Sequence, residues 1–239
     1  MVKTAFRDPD LKKALFLTSA NSINVARWLP QQVYYAFALQ QWTNEAAPVF
    51  VVPSGNFGNI CAGMMAWKAG LPIQHFVAAC NVNDVVPRYL LSGHYQPETA
   101  IATISNAMDV GSPSNFVRIA EIFNDDISAL RKMLTGYTVT DQQTKQQLAA
   151  TYRETGYVAD PHGAVAIDAF FQYKSAGHTN KAIFLETAHP IKFPATVEEI
   201  IGHELPLPAS VQAIMQKPKE ATLLPNSYAA LKEYLLYSR

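Results

Sequence analysis

Val49-Phe50-Val51-Val52-Pro53-Ser54-Gly55-Asn56-Phe57-Gly58-Asn59 decides the fold class of this chain. Pro48 to Pro53 is a short run of β-formers bounded by prolines. It is apolar without alternation, as in a strand covered on both faces of a parallel sheet. The polar Ser54–Asn59 stretch follows at once. Behind it Ile60–Ala69 is apolar nearly all round and stops at Gly70, a residue suited to end a helix in the left-handed conformation. Ile73–Ala79 reads as a second strand. Strand, loop, helix and strand make a βαβ unit with a right-handed crossover.

A glycine-bearing loop between a buried strand and a helix suits phosphate. Gly55 and Gly58 let the backbone approach an anion. The N–H groups of the loop and of the first helical turn then point at it, and the helix dipole favours its charge. Ser54, Asn56 and Asn59 offer neutral side-chain hydrogen bonds. No Gly-Lys-Ser/Thr ending follows, which excludes a P-loop, and the glycines do not fit G-x-G-x-x-G. On the loop alone, a tight turn without a ligand explains these residues equally well.

Upstream, Leu15–Thr18 reads as a short strand and Ser19–Asn24 as a polar turn. The next stretch is a helix with Val33, Tyr34, Phe37 and Leu39 at helical spacing. Pro30 marks its first turn or a kink. Downstream, helices are expected over Asp84–Leu91, Ser114–Phe123, Ile127–Leu134, Asp141–Glu154 and His162–Ser175, most beginning near a capping residue. A last strand, Lys181–Glu186, leads into Thr187-Ala188-His189-Pro190. The fold class is α/β: an open, mostly parallel sheet flanked by helices. Residues 1–205 form its main body, and 206–239 a proline-rich tail with a short helix.

The chain has 239 residues, 49% of them hydrophobic, enough for a well-buried core. Its 19 Lys and Arg balance 19 Asp and Glu, so no broad attraction to nucleic acid or membrane is expected. Any anion must be held locally. Cys61 and Cys80 sit in apolar stretches and read as buried thiols in a reducing compartment. The six histidines lack metal-ligand spacing. Residues 1–16 contain no apolar core of a secretory signal, and no stretch is apolar and long enough to span a bilayer. The expected location is cytoplasmic.

Taken together, several segments resemble threonine synthase, a fold-type-II pyridoxal-phosphate enzyme of the tryptophan synthase β-like class. They are Ser19–Asn24 with Arg27, Val52–Asn59, Asn81-Val82-Asn83-Asp84 with Pro87-Arg88, and Ser105-Asn106-Ala107-Met108-Asp109. Asp160-Pro161-His162-Gly163-Ala164 and Thr187-Ala188-His189-Pro190 complete the set. These run in the family's order from about Phe6 to Leu207, and the combination is specific to the branch found in bacteria and fungi. The resemblance implies a carbon–oxygen lyase acting on phosphate. O-phospho-L-homoserine would lose protons from its α and β carbons, with pyridoxal 5'-phosphate as electron sink. Phosphate would leave the γ carbon and water add at the β carbon, giving L-threonine.

The same resemblance assigns roles. Gly55, Asn56, Phe57 and Asn59 would cradle the cofactor phosphate, and Thr187 would face the pyridine nitrogen with a neutral hydroxyl. Asn21, Ser22 and Arg27 would bind the substrate phosphate, the arginine as a bidentate clamp. By their residues alone, Asn21 and Ser22 also read as a helix cap and Arg27 as a surface residue. Asp84 and Arg88, spaced i, i+4, read as a structural ion pair or cap rather than as groups acting on substrate, and Asp109 as organising a loop. His162 and His189 read as proton carriers or, the commoner case, as hydrogen-bonded structural residues.

The family's Schiff-base lysine lies upstream of the segment that Leu15–Arg27 resembles, and nothing in this chain matches its motif. Lys3, Lys12 and Lys13 lie in a charged stretch without the pattern, and Lys192 follows the Thr187 motif. No catalytic residue is therefore assigned. The expectation is a C-terminal portion, from a truncated gene model, a partial sequence or a degraded gene. An unpaired sheet edge is expected to make it poorly soluble alone. Two other readings remain: another fold-type-II lyase, such as a β-replacing synthase or threonine deaminase, and a non-catalytic remnant binding a phosphorylated metabolite.

Overall fold

The computed structural model describes residues 1–22, 24–215 and 217–237. Ile23 of the polar turn thus lies outside the described residues. The helices are α1 (Val2–Ala5), α2 (Pro9–Ala14), α3 (Val25–Trp28), α4 (Gln32–Gln40), α5 (Gly58–Lys68), α6 (Val85–Ser92) and α7 (Phe116–Ile122). They continue with α8 (Ile127–Met133), α9 (Asp141–Thr155), α10 (Pro161–Ser175), α11 (Pro194–Ile201), α12 (Ala209–Met215) and α13 (Tyr228–Tyr237). The strands are β1 (Val49–Pro53), β2 (His75–Cys80), β3 (Leu134–Thr138) and β4 (Ala182–Phe184), in the sheet order β3-β2-β1-β4. Every pairing is parallel, with Val51 opposite Val77 on one side and Phe184 on the other.

Two compact units divide the chain: Met1–Asn24 with Leu207–Arg239, and Val25–Pro206. Within the first, Asp8 caps α2 by accepting from the N–H groups of Asp10 and Leu11. Tyr228 and Lys232 of α13 donate to the same carboxylate at 2.5 and 2.9 Å.

The second unit holds the sheet. Alternate residues of β1 and β2 face opposite layers. Phe50, Val52, Phe76 and Ala78 pack with Tyr35 of α4, Ile60 and Met64 of α5, Ile119 of α7 and Leu130 of α8. Val49, Val51, Val77 and Ala79 pack with Val165, Ala166, Ala169 and Tyr173 of α10. Each such large apolar side chain contributes about 1.5–3 kcal/mol by leaving water, which is why both faces of these strands are apolar. α4 comes so close to α5 that a Cβ on Gly63 would overlap the Tyr35 ring.

Two expectations are corrected. Among the described residues Leu15–Thr18 joins no sheet and forms no strand. Its β-formers have no ladder to join, and propensity alone does not make a strand. Conversely, Leu134–Thr138, expected as the end of a helix and a connection, is β3 on the exposed side of β2. Its Gly136 meets Pro87, where a Cβ would lie 3.0 Å from the Pro87 Cα. Pro30 does break the upstream helix, at a 3-10 turn over Leu29–Gln31 between α3 and α4.

α9 starts with a capping box: the Thr140 side chain accepts from Gln143 N–H at 3.3 Å, and Gln143 Oε1 accepts from Thr140 N–H at 2.9 Å. Thr140→Ala is expected to cost about 1 kcal/mol, measurable as a lower midpoint in urea. An unchanged midpoint would show that the cap contributes nothing. Cys61 and Cys80 are buried and free. Burial pushes the Cys61 thiol up to about 11 and the Cys80 thiol further in the same direction, so both remain protonated. Among the described residues no helix is long and apolar enough to cross a membrane.

Candidate active site

Because all four strands run parallel, the segments leaving their carboxyl ends lie at one end of the sheet. This is where open α/β sheets hold ligands. Ser54 leaves β1 there, anchored by its N–H to Ala79 O at 2.8 Å and by its hydroxyl to Val52 O at 2.8 Å. The Cys80 thiol donates back to Ser54 O at 3.2 Å. Gly55 presses on the backbone of Met108: a Cβ would stand 2.5 Å from the Met108 Cα. Asn56 Oδ1 accepts from the Ser114 N–H and hydroxyl at 2.7 and 2.9 Å. Phe57 takes φ 61°, left-handed, and its buried ring meets Phe116 edge to face at 5.8 Å. The Tyr35 hydroxyl donates to Asn59 O and Asn59 Oδ1, each at 3.0 Å.

The side-chain oxygens of Ser54, Asn56 and Asn59 therefore hold the loop together, and the main-chain N–H groups at the start of α5 are among the donors it can offer an anion. The first bond of α5 runs from Cys61 N–H to Phe57 O. Gly58, Asn59 and Ile60 precede it, and no side chain caps the helix. Gly58 and Ile60 are buried, and the first turn contains no acid. A buried helix start without a cap calls for an external acceptor. Aligned donors, a positive dipole end and no repelling carboxylate suit a phosphate monoester.

A frame behind the loop holds Met108 in place. Asp109 Oδ1 accepts from Asn81 Nδ2 at 2.9 Å, Asn83 Nδ2 at 3.2 Å and the Thr103 hydroxyl at 2.7 Å. Asp109 Oδ2 accepts from Thr103 N–H at 3.0 Å. Asp109 thus organises this loop, as its place in the sequence implies. The adjoining Ala107 N–H donates to His162 Nε2 at 3.2 Å. That bond places the ring proton on Nδ1, which meets Asp160 Oδ1 at 2.5 Å. Asp160 also caps α10 through the His162 N–H. His162 is accordingly a structural histidine. Asp84 and Arg88 form the expected ion pair at 2.8 Å, and Arg88 also meets Glu98 at 2.7 Å.

Thr187 follows β4 at the same end of the sheet as Ser54, two residues past Leu185, whose N–H donates to Val51 O at 3.0 Å. It is exposed, as is Lys192 in the next turn. Arg27 is exposed on α3 of the same unit. Asn21 and Ser22 belong to the other unit, where the Ser22 hydroxyl donates to Asn21 Oδ1 at 3.2 Å. The loop residues, Thr187 and Arg27 thus share one unit, and Asn21 and Ser22 do not. Glu186 was not singled out from the sequence, where a strand-end acid beside Thr187 has no distinctive spacing. In the fold its Oε1 accepts from the Asp160 N–H at 3.3 Å.

Residues 3–185 match the model of the pyridoxal-phosphate dependent enzyme family, and residues 163–235 that of the threonine synthase C-terminal region. Threonine synthase of Haemophilus influenzae is 45% identical over 240 residues, covering 100% of this chain and 56% of that protein. The crystal structure of threonine synthase from Escherichia coli superposes with a TM-score of 0.90 at 41% identity, over 100% of this chain and 55% of that one. PLP-bound threonine synthase from Brucella melitensis gives a TM-score of 0.87 at 34% identity, over 99% of this chain and 56% of its own. The chain spans about half the length of the relatives it matches.

Proposed function

The chain belongs to the pyridoxal-phosphate-dependent enzymes, on their threonine synthase branch, and from that membership we propose that it supplies the cofactor-phosphate cradle of an enzyme converting O-phospho-L-homoserine and water to L-threonine and phosphate. The observation that supports this most is the uncapped, buried start of α5 behind Gly55, at the carboxyl end of a parallel sheet. When bound, pyridoxal 5'-phosphate supplies an electron sink that acidifies carbons of an amino-acid substrate.

In this reading the main-chain N–H groups of Gly55 to Asn59 hold the cofactor phosphate, and the side chains of Asn56 and Asn59 shape the loop that presents them. The Thr187 hydroxyl would be the partner of the pyridine nitrogen. Being neutral, it leaves that nitrogen largely unprotonated. Arg27, Asn21 and Ser22 bind the substrate phosphate. A cytoplasmic location goes with this function, as does the absence of a nucleic-acid or membrane partner.

No lysine of the 239 residues is assigned the covalent role, so the chain by itself is expected to bind pyridoxal 5'-phosphate but to release no phosphate from O-phospho-L-homoserine. Titration with pyridoxal 5'-phosphate and with pyridoxal, followed by tryptophan fluorescence, tests the cradle. Equal affinity for the two would sink it. Fusing the chain to the segment of the Escherichia coli enzyme outside the match tests the reaction. That fusion is expected to release phosphate from O-phospho-L-homoserine, and the Arg27→Ala form to do so with a much higher KM. Deamination of threonine or serine without phosphate release would place the chain in another lyase class.

A further inference from the structure

Two carboxyl groups meet where β4 hands over to Thr187. Asp160 is fully buried at the start of α10. Its Oδ1 accepts from the His162 N–H at 2.8 Å and meets His162 Nδ1 at 2.5 Å. Its Oδ2 is buried and has no hydrogen-bond partner as long as Glu186 is an ionised, acceptor-only carboxylate. Across from it, Glu186 Oε1 accepts from the Asp160 N–H at 3.3 Å. The Glu186 carboxyl fills the space over Gly163, where a Cβ would overlap both of its oxygens. Glu186 is exposed by its total surface, but this packing shows that its carboxyl end is turned inward. An acceptor-only pair here would leave Asp160 Oδ2 unsatisfied in a buried place, at a cost of about 1–3 kcal/mol or more for a charged group. A proton on Glu186 supplies the missing donor.

We propose that Glu186 and Asp160 share one proton as a carboxylic acid–carboxylate pair, and that this pair positions the Glu186–Thr187 strand end on α10. The significance for a cofactor ring rests on the role proposed above for Thr187, but the pair itself does not. The titratable groups facing Glu186 are Asp160 and Tyr157, with His162 one hydrogen bond beyond Asp160. Burial, then the hydrogen bond and charge of Asp160, push the Glu186 carboxyl up to about 9. Asp160 moves the other way: burial alone would raise it, but the His162 and Glu186 hydrogen bonds outweigh burial and hold it below the usual carboxylate range. Two like acids with pKa values driven apart are the signature of a shared proton.

The sign follows from proton linkage. Between the ordinary carboxylate pKa and about 9, the folded chain keeps a proton on Glu186 that the unfolded chain has lost. Stability conferred by the pair is therefore full at acid pH and declines as pH rises through that window. Unfolding midpoints in urea, measured across that window on the 239-residue chain, test this without cofactor or turnover. The wild type is expected to lose stability steadily toward alkaline pH. In Glu186→Gln the amide donates permanently to Asp160 Oδ2, so the profile flattens and the variant exceeds wild type at the alkaline end. Glu186→Ala, with no donor, is expected to fall below both at pH 6. Hydrogen exchange at the Thr187 amide is expected to follow the same order. Parallel pH profiles for wild type and Glu186→Gln, or a Gln variant as weak as Ala at pH 6, would overturn the proposal. Loss of pyridoxal 5'-phosphate selectivity with the pH profile intact would count against the cradle alone.

Discussion

Gly55→Ala is expected to weaken pyridoxal 5'-phosphate binding by roughly 100-fold or more. The added methyl would lie 2.5 Å from the Met108 Cα and 3.1 Å from its carbonyl carbon and oxygen. These are backbone atoms, and no rotamer change moves them aside. Met108 is itself held by the Ala107 bond to His162 and by the Asp109 frame next to it. The loop between β1 and α5 must yield instead, carrying its N–H groups off the anion. Hydrogen bonds to a charged group contribute about 1.5–3 kcal/mol each, and losing two corresponds to roughly 100-fold or more in Kd. Overpacking of this kind also lowers stability by about 1–3 kcal/mol. Fluorescence titration and urea denaturation of the same variant separate the two effects. Affinity within threefold of wild type would show that the loop adapts and that its close packing is incidental.

Asp109→Ala is expected to lower stability by about 3 kcal/mol. One carboxylate accepts from Asn81, Asn83 and both donors of Thr103. Asn81 and Asn83 are buried. Asn81 Nδ2 keeps the Thr103 and Ser105 oxygens as partners, and Asn83 Nδ2 keeps Ile101 O, so the donors are not all orphaned. The estimate reflects one or two donors left unsatisfied, each costing about 1–3 kcal/mol. Because Met108 adjoins Asp109 and packs on Gly55, the Ser54–Asn59 loop is expected to loosen as well, seen as faster hydrogen exchange at Gly55 and Asn56. A loss below about 1 kcal/mol would mean that water replaces the carboxylate without strain.

β1 and α5 were legible because each announces itself locally. The proline-bounded apolar run can be satisfied only by burial on both faces, and the structure leaves all five β1 residues buried. Asp126 and Thr140 likewise mark the starts of α8 and α9 with side-chain caps. β3 was not legible. Leu134-Thr135-Gly136-Tyr137-Thr138 is half-buried and contains a glycine. What makes it a strand is the free edge of β2 beside it. Leu15–Thr18 shows the reverse, with strand-forming residues that join no sheet among the described residues.

The six residues Ser54–Asn59 are compatible, by sequence, with an anion site or with a bare turn. The residues Ser54–Asn59 by themselves determined a strand-to-helix turn, and the ordered series of motifs around it carried the resemblance to the family. Tertiary structure alone decided which partners the polar side chains of the loop engage. Ser54, Asn56 and Asn59 have polar side chains in any conformation, but their partners at Val52, Ser114 and Tyr35 come from across the fold. Those partners engage the side-chain oxygens and fix the shape of the loop. The pairing of Glu186 with Asp160 has the same origin. Two carboxylates separated by 26 residues acquire a shared environment only when β4 and α10 pack, because a proton can be shared only across a distance that the fold sets.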